Sequence, residues 1–409
     1  MSELDIKNEV NRCFNCMNKP CLKGCPLNND IASITKLMKN NKIKEAYNLL
    51  SETTVLPSIC GRICPCEKQC KLNCTRKYKS EAIDIGGIES YLGDIAIKEN
   101  WELSSFSNDL SNKKIAVIGG GPAGLTCATF LRRNGADVTI YEKKEHLGGL
   151  LRYGIPEFRL EKNILDEAIR HICDTGIHVI TKYDLENQIE TLKNEYDAIF
   201  LSFGSNVPKK MNVDGEDLPW VFDGNELLEN GISFDCTGKI VYICGGGNVA
   251  LDTARTIKKY GASKVTILYR REEERMPAEK KEVSSAKREK IDFRFNTNLL
   301  KIHELDGKRK IECAKTCEVG LGVQNIQNSN FELDADFVIM AIGSKPDENL
   351  IRKLNLETDK NGFVKVDENN CTSDEKIFAG GNLVGAKATV AWAARSGRDA
   401  AMSIVKKLK

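Results

Sequence analysis

Apolar residues along this chain follow two different periods, and the change from one to the other divides it. In the front part they recur at three and four. Ile31, Ile34, Leu37 and Met38 share one face of a helix that Asp30 can cap, and Ile43, Ala46, Tyr47 and Leu50 share one face of a second. Asn40-Asn41 between them can turn the chain back on itself. Ile88, Tyr91, Leu92 and Ile95 repeat the helical pattern, and the polar run SSFSNDLSN at 104–112 reads as a linker. Beyond it the pattern changes to short, mostly apolar runs at 115–118, 138–141, 197–204, 240–244, 264–269 and 337–343. Such runs, spaced by helical stretches, predict buried parallel strands and an α/β fold.

Two of these runs break into glycine. KIAVIGGGPAGLTCATFLRRNGADVTIYE at 114–142 reads as strand, turn, helix, strand and acid. Gly119 allows the tight turn, Gly121 lets backbone approach a pyrophosphate, and Gly124 lets the helix pack close. The helix N-terminus offers its unpaired amides to phosphate. Glu142, 23 residues after Gly119, stands where an acid would bond a ribose hydroxyl. A second fingerprint, Gly245-x-Gly247-x-x-Ala250, follows the strand after Lys239. Its next strand ends on Arg270-Arg271 in place of an acid, which suits a 2′-phosphate and favours NADP, with NAD as the alternative. A third glycine turn, FAGGN at 378–382, precedes a helical stretch bearing Ala and Val. The loop HLGGLLRYGIPEFRL at 146–160 has paired glycines and a proline and is expected to stay outside regular elements, with a helix and a strand in 161–180.

Charge and length change this picture little. The 60 basic and 58 acidic residues nearly cancel, which removes the electrostatic case for a nucleic-acid binder. The polar start MSELDIKNEVNR is no secretory signal, and no run of about 18 apolar residues occurs, so a cytoplasmic protein off the membrane is expected.

Cysteine changes it more. Nine of the sixteen lie between Cys13 and Cys74, as Cys13-x2-Cys16-x4-Cys21-x3-Cys25-Pro26 and Cys64-Pro65-x4-Cys70-x3-Cys74, with Cys60 and Cys66 beside the second block. With no export signal, metal is the default over disulfides. Zinc takes four N or S ligands; this many thiols with only four histidines suit iron–sulfur clusters better. Residues 1–80 hold 14 Lys/Arg against 7 Asp/Glu, which fits either a solvated face or partial neutralisation of cluster charge.

The cysteine blocks, GGGPAG, GGLLRYGIPEFRL, GGGNVALD, YRR…MPA and FAGGN…GRDAA, in that order, resemble the glutamate synthase small-subunit family. Its relatives include the flavin subunits of bacterial NAD-dependent dihydropyrimidine dehydrogenase and of bifurcating ferredoxin–NADP transhydrogenase. The resemblance implies a helical domain at 1–108 with two 4Fe–4S clusters, an FAD domain at 109–206 and 335–409, and an inserted NAD(P)H domain at 207–334. It implies one cluster on Cys13, Cys16, Cys21 and Cys74, and another on Cys25, Cys64, Cys70 and Glu89. Glu89 by itself reads as an ordinary exposed helix acid, and Cys60 and Cys66 become buried apolar residues or cluster neighbours. FAD is expected on Gly119, Gly121, Pro122, Ala123, Gly124, Glu142, Gly149, Leu150 and Arg159, and on Gly381, Asn382, Thr389 and Val390. NADPH is expected on Gly247, Asn248, Val249, Ala250, Arg270, Arg271 and Arg275. Where the family has Gly-Asp, this chain has Gly381-Asn382, which removes one charge beside the flavin.

The family likeness and the motifs together imply an NAD(P)H-dependent oxidoreductase exchanging electrons between NADPH, FAD, iron–sulfur clusters and a partner: a large catalytic subunit or a ferredoxin-like carrier. No protein nucleophile is expected to act in catalysis. A disulfide reductase would carry a redox cysteine pair near the flavin, and Cys236/Cys244 and Cys313/Cys317 lack that spacing. A non-catalytic redox sensor or assembly protein would have no use for the second nucleotide motif.

Overall fold

Helices come first. The computed structural model, which describes residues 2–186, 188–320 and 322–409, places α1 (Glu3–Arg12), α2 (Pro20–Gly24), α3 (Ile31–Lys39), α4 (Ile43–Ser51), α5 (Pro57–Ile63) and α6 (Ile85–Lys98) ahead of any strand. The polar start is itself helical. Ser2 and Asp5 form a capping box and Ile6 and Val10 face inward. Asp30 caps α3 by accepting from the Ser33 amide, and Asn41 makes the turn to α4 in a left-handed conformation (φ 57°). The 104–112 stretch lacks regular structure but is anchored, with the Phe106 amide on the Arg133 carbonyl (2.7 Å) and Leu110 fully buried.

The first parallel sheet follows from the β-branched runs. β1 (Lys114–Ile118) leads through α7 (Pro122–Arg133) to β2 (Asp137–Tyr141), in register Ile115 with Val138 and Val117 with Ile140. The 146–160 loop is not wholly irregular: Leu150–Tyr153 makes a single helical turn, α8. It is followed by α9 (Lys162–Cys173), β3 (His178–Ile180), α10 (Ile189–Glu195) and β4 (Ala198–Leu201), which pairs with β1.

A second set of elements then repeats the plan. β5 (Val207–Pro208), β6 (Val221–Asp223) and α11 (Gly224–Asn230) precede β7 (Ile240–Cys244), α12 (Asn248–Lys259), β8 (Lys264–Leu268), α13 (Lys280–Arg288) and β9 (Asp292–Arg294). An antiparallel sheet intervenes: β10 (Thr297–Leu305), β11 (Lys308–Val319), β12 (Gly322–Asn325) and β13 (Phe331–Asp334), with β11 in the middle. β14 (Phe337–Met340) then enters between β6 and β7, giving the parallel order β6-β14-β7-β8-β9, and β15 (Ser344–Lys345) pairs with β5. The returning chain adds α14 (Glu348–Lys353), β16 (Ile377–Ala379) and the long α15 (Val390–Leu408), completing the first sheet as β16-β4-β1-β2-β3.

Two compact units result. One comprises the chain up to Arg152, Glu157–Ser205 and Pro346–Lys409; the other Tyr153–Pro156 and Asn206–Lys345. The strand at 337–340 therefore belongs with the inserted portion, and re-entry comes at Pro346, later than the 335 read from sequence. The reason is β-pairing: Val338 and Ile339 are buried between Tyr242 and Ile243 on one side and Val221 and Phe222 on the other. Among the described residues no helix is long and apolar enough to cross a membrane.

Candidate functional site

Each parallel sheet ends in a glycine turn at the carboxyl edge of its central strand, where open α/β sheets bind ligands. In the first, the Gly119 amide donates to the Tyr141 carbonyl (2.8 Å) with φ +101°, and a Cβ there would lie 2.7 Å from the Ser202 carbonyl oxygen. A Cβ on Gly124 would stand 1.9 Å from the Gly119 carbonyl oxygen, so glycine alone lets α7 start this close to the turn. Gly121 is extended and faces open space, with the Gly149 Cα at 3.9 Å from where a Cβ would be. Pro122 and Ala123 follow as the first residues of α7.

Glu142 is buried, with 7% of its surface exposed. Its two oxygens accept from the Gly120 and Lys144 amides, both at 2.8 Å, which fixes the carboxylate beneath the turn. The Gly148 amide donates to the Gly120 carbonyl (2.8 Å), laying Gly149 over the same place. From the far end of the chain, the Gly381 amide donates to Ser396 Oγ (2.9 Å), and a Cβ on Gly381 would be 3.1 Å from that of Ala123. Ser205 Oγ donates to the Asn382 carbonyl (2.9 Å). Thr389 caps α15, accepting from the Trp392 amide at 3.3 Å, and Val390 is buried as its first residue. Gly119, Gly121, Pro122, Ala123, Gly124, Glu142, Gly149 and Gly381 are thus brought together. Leu150 opens α8 with an exposed side chain, and Arg159 is half-buried on the approach to α9. Gly121 and Gly149 leave a cradle walled by backbone alone, which fits a flavin dinucleotide's pyrophosphate.

The second turn has the same form but different supports. The Gly245 amide donates to the Leu268 carbonyl (3.0 Å), and the Tyr269 ring covers Gly246. Gly247, extended at the start of α12, has nothing within 4 Å of where a Cβ would point. Asn248 Oδ1 accepts from the Glu279 amide (3.1 Å), Val249 is half-buried and Ala250 fully buried. Arg270 and Arg271 are pinned by their carbonyls, which accept from Thr316 Oγ1 (2.9 Å) and the Asn296 amide (3.1 Å); the Arg270 side chain is exposed. Arg275 is exposed and faces Glu318 at 3.5 Å, a pair worth little in water. Cys244 and Cys313 are buried in one apolar core beside Leu268 and Met340, which makes them packing residues.

The front cysteines form two groups. Cys13, Cys16, Cys21 and Cys74 line one small cavity together with Phe14, Ala32 and Ile83. Burial, then the neighbouring Cys13 and Cys74, pushes the Cys21 thiol up to about 11. In the second group, burial and then Glu89 push Cys25 up to about 12. A hydrogen bond with Cys66, then burial, raises Cys70 strongly, and one with Cys60, then burial, raises Cys64. Glu89 is 4% exposed, so the expectation of an exposed helix acid is wrong. Burial raises it to about 7 against the opposing hydrogen bond from Asn29 Nδ2 (2.8 Å). Glu89 thus lies within the field of Cys25, Cys64 and Cys70. Among the described residues no three such side chains converge as they would on a single ion. Two groups of neighbouring cysteines, one with an acid, are a donor set whose thiolate charge a cationic iron core would neutralise.

Of the two expectations for Cys60 and Cys66, the structure favours neighbours of candidate ligands, hydrogen-bonded to Cys64 and Cys70. Sequence reasoning missed two things here. Asn29 holds Glu89. Gln69, beside Cys70, donates to Thr389 Oγ1 (3.4 Å).

Comparison with known proteins identifies the family. A family described as "Pyridine nucleotide-disulphide oxidoreductase" matches residues 113–397, and one described as "Dihydropyrimidine dehydrogenase domain II, 4Fe-4S cluster" matches 1–101. The chain is 34% identical to the glutamate synthase [NADPH] small chain of Escherichia coli K12, over 99% of its own length and 92% of that protein's. It is 32% identical to the NADPH-Fe(3+) oxidoreductase subunit beta of Geobacter sulfurreducens, over 84% of its length and 53% of that protein's. The structure of Mycobacterium tuberculosis FprA in complex with NADPH shares the fold, with a TM-score of 0.64 at 17% identity, covering 72% of this chain and 84% of the other. The chain belongs to the glutamate synthase small-chain family of NAD(P)H-dependent flavin and iron–sulfur oxidoreductases.

Proposed function

We propose that this chain passes electrons between NADPH and a one-electron partner on another polypeptide, through FAD and two 4Fe–4S clusters. FAD is assigned to Gly119–Gly124, Glu142, Gly149, Leu150, Arg159, Gly381, Asn382, Thr389 and Val390. NADPH is assigned to Gly247–Ala250, Arg270, Arg271 and Arg275. One cluster takes Cys13, Cys16, Cys21 and Cys74, the other Cys25, Cys64, Cys70 and Glu89. A bound flavin supplies the exchange between the two-electron chemistry of a nicotinamide and the one-electron chemistry of iron–sulfur centres.

The protein's part is to bind and to orient. Gly121 and Gly149 admit the pyrophosphate, and α7 and α15 aim backbone amides at anionic groups. Glu142, already fixed by two backbone donors, keeps lone pairs for ribose hydroxyls. Arg270 and Arg271, held by their own carbonyls, supply charge for a 2′-phosphate. Cysteine ligands give up their thiol protons as they bind metal.

The Gln69–Thr389 hydrogen bond carries this reading. It ties the residue before Cys70 to the cap of the helix that supports the flavin, while the cavity of the first thiol group opens beside exposed Phe14. The order that follows is flavin, second group, first group, surface. The relatives' names, a small chain and a beta subunit, support a separate partner polypeptide. The sixteen cysteines, none in a disulfide, suit the reducing cytoplasm.

Anaerobically purified protein tests the reading. About eight irons and eight acid-labile sulfides per chain are expected, with one flavin, and both chromophores bleach on NADPH addition. Zinc in place of iron, or clusters that NADPH cannot bleach, overturns it.

A further inference from the structure

Dinucleotide sites choose between their two nucleotides at the adenine ribose: an acid accepts from a 2′-hydroxyl, and arginines take a 2′-phosphate. The second glycine turn is served by both kinds of group. Arg270 and Arg271 follow β8, and Arg275 comes shortly after. The acid arrives from a different strand.

Thr316 and Glu318 are two apart on β11, so they share one face of that strand, and exposed Cys317 and Val319 share the other. Thr316 Oγ1 donates to the Arg270 carbonyl (2.9 Å) and the Thr316 amide to the Asn296 carbonyl (2.9 Å). The Asn296 amide donates in turn to the Arg271 carbonyl (3.1 Å). Backbone therefore sets the Glu318 face against the arginine loop. Glu318 Oε2 lies 3.5 Å from Arg275 Nε, and with 27% of its side chain exposed against 65% for Arg275, the acid is the better-held partner. Tyr269 joins the same group. Its hydroxyl donates to the Arg275 carbonyl (2.8 Å), and beyond its burial the phenol is acted on by Arg271, Arg270 and Glu318. The loop's own acids lie elsewhere: Glu273 is paired with Lys287 (2.6 Å), and Glu272 and Glu274 are exposed.

We propose that Glu318 is a specificity-determining residue of the nucleotide site. Its carboxylate accepts from the 2′-hydroxyl of NADH and competes with the 2′-phosphate of NADPH for Arg275, so that one site serves both nucleotides. The proposal rests on the reading that Arg270, Arg271 and Arg275 receive the 2′-phosphate. Three guanidiniums outnumber one carboxylate, so NADPH still binds, against a repulsion that NADH does not meet.

Calorimetric binding of NADP⁺ and NAD⁺ to the oxidised holoprotein, with no electron donor present, reads affinity apart from turnover. Glu318→Gln keeps an acceptor and loses the charge. It should bind NADP⁺ about fivefold more tightly at low salt, a gain that fades by about 0.5 M salt, and NAD⁺ within about twofold of the wild type. Glu318→Ala loses the acceptor as well, so NAD⁺ should bind about fivefold more weakly while NADP⁺ stays tighter. A hairpin that merely braces the loop would move both nucleotides the same way. If both affinities shift together in Glu318→Ala, or neither shifts, Glu318 does not choose the nucleotide. Arg270→Ala/Arg271→Ala separates the two readings. If that variant keeps its NADP⁺ affinity, the arginine assignment fails; if it loses it while both Glu318 variants match the wild type, the role of Glu318 alone fails.

Discussion

The two glycine turns share one backbone plan and are held in different ways. In the first, the acid that ends the second strand turns back under the loop: Glu142 is buried and bonded to two amides, with Gly149 folded over the top. In the second, the strand is followed by exposed Arg270 and half-buried Arg271, and support comes from farther along, with the Tyr269 ring over Gly246 and Glu279 on Asn248. Gly121 has Gly149 for company, and Gly247 has open space. A turn closed over by its own loop suits a group that stays. One left open suits a group that comes and goes, as a hydride donor must.

Three changes probe that contrast, beginning with the most damaging. Glu142→Ala leaves two amides without acceptors, a loss on the order of 3 kcal/mol. The purified variant should contain at least about tenfold less flavin and melt at a lower temperature, read by visible absorbance and calorimetry. Full flavin occupancy would show that Glu142 merely braces the loop. Arg270→Ala/Arg271→Ala removes charge-assisted bonds worth roughly 1.5–3 kcal/mol. KM for NADPH should rise about 10- to 100-fold while KM for NADH stays unchanged, in a steady-state assay with an artificial acceptor. An equal rise for both nucleotides would point away from the 2′-phosphate. The smallest change separates neighbouring glycines. Gly246→Ala meets the Tyr269 ring at 2.4 Å and should cost about 1–3 kcal/mol. Gly247→Ala meets nothing within 4 Å and should leave stability within about 0.5 kcal/mol, yet raise KM for NADPH several-fold. If that KM does not move, α12 does not receive the pyrophosphate.

How much of this could be read from sequence depended on whether the signal was local. The glycine turns were legible because a tight turn and a close helix need glycine at fixed offsets, as Gly119 and Gly124 show. Asp30 and Asn41 were legible for similar reasons, and the Ser2–Asp5 capping box before Ile6 could have been read in the same way. Glu89 was not legible from its own surroundings. It lies between Ile88 and Ser90 in a helix, and its partners, Asn29 by hydrogen bond and Cys25, Cys64 and Cys70 by charge, come from other segments. The antiparallel sheet also escaped, because β11 is too polar for its pairing with β10 and β13 to show as alternation. The re-entry point was misplaced because FVIMAIG is equally apolar in either sheet, and only its partners decide between them.

The C-terminal helix reaches back to the front of the molecule. Arg395 donates to the Pro26 carbonyl (3.1 Å) and Arg398 to that of Leu27 (2.8 Å), next to Cys25. Chains fold from the N-terminus as they are synthesised. A ribosome therefore releases the thiol-bearing helices hundreds of codons before the arginines that clasp them. If the thiol group that includes Cys25 takes up iron only once this clasp has formed, nascent chains stalled short of codon 390 should take up less iron than released ones.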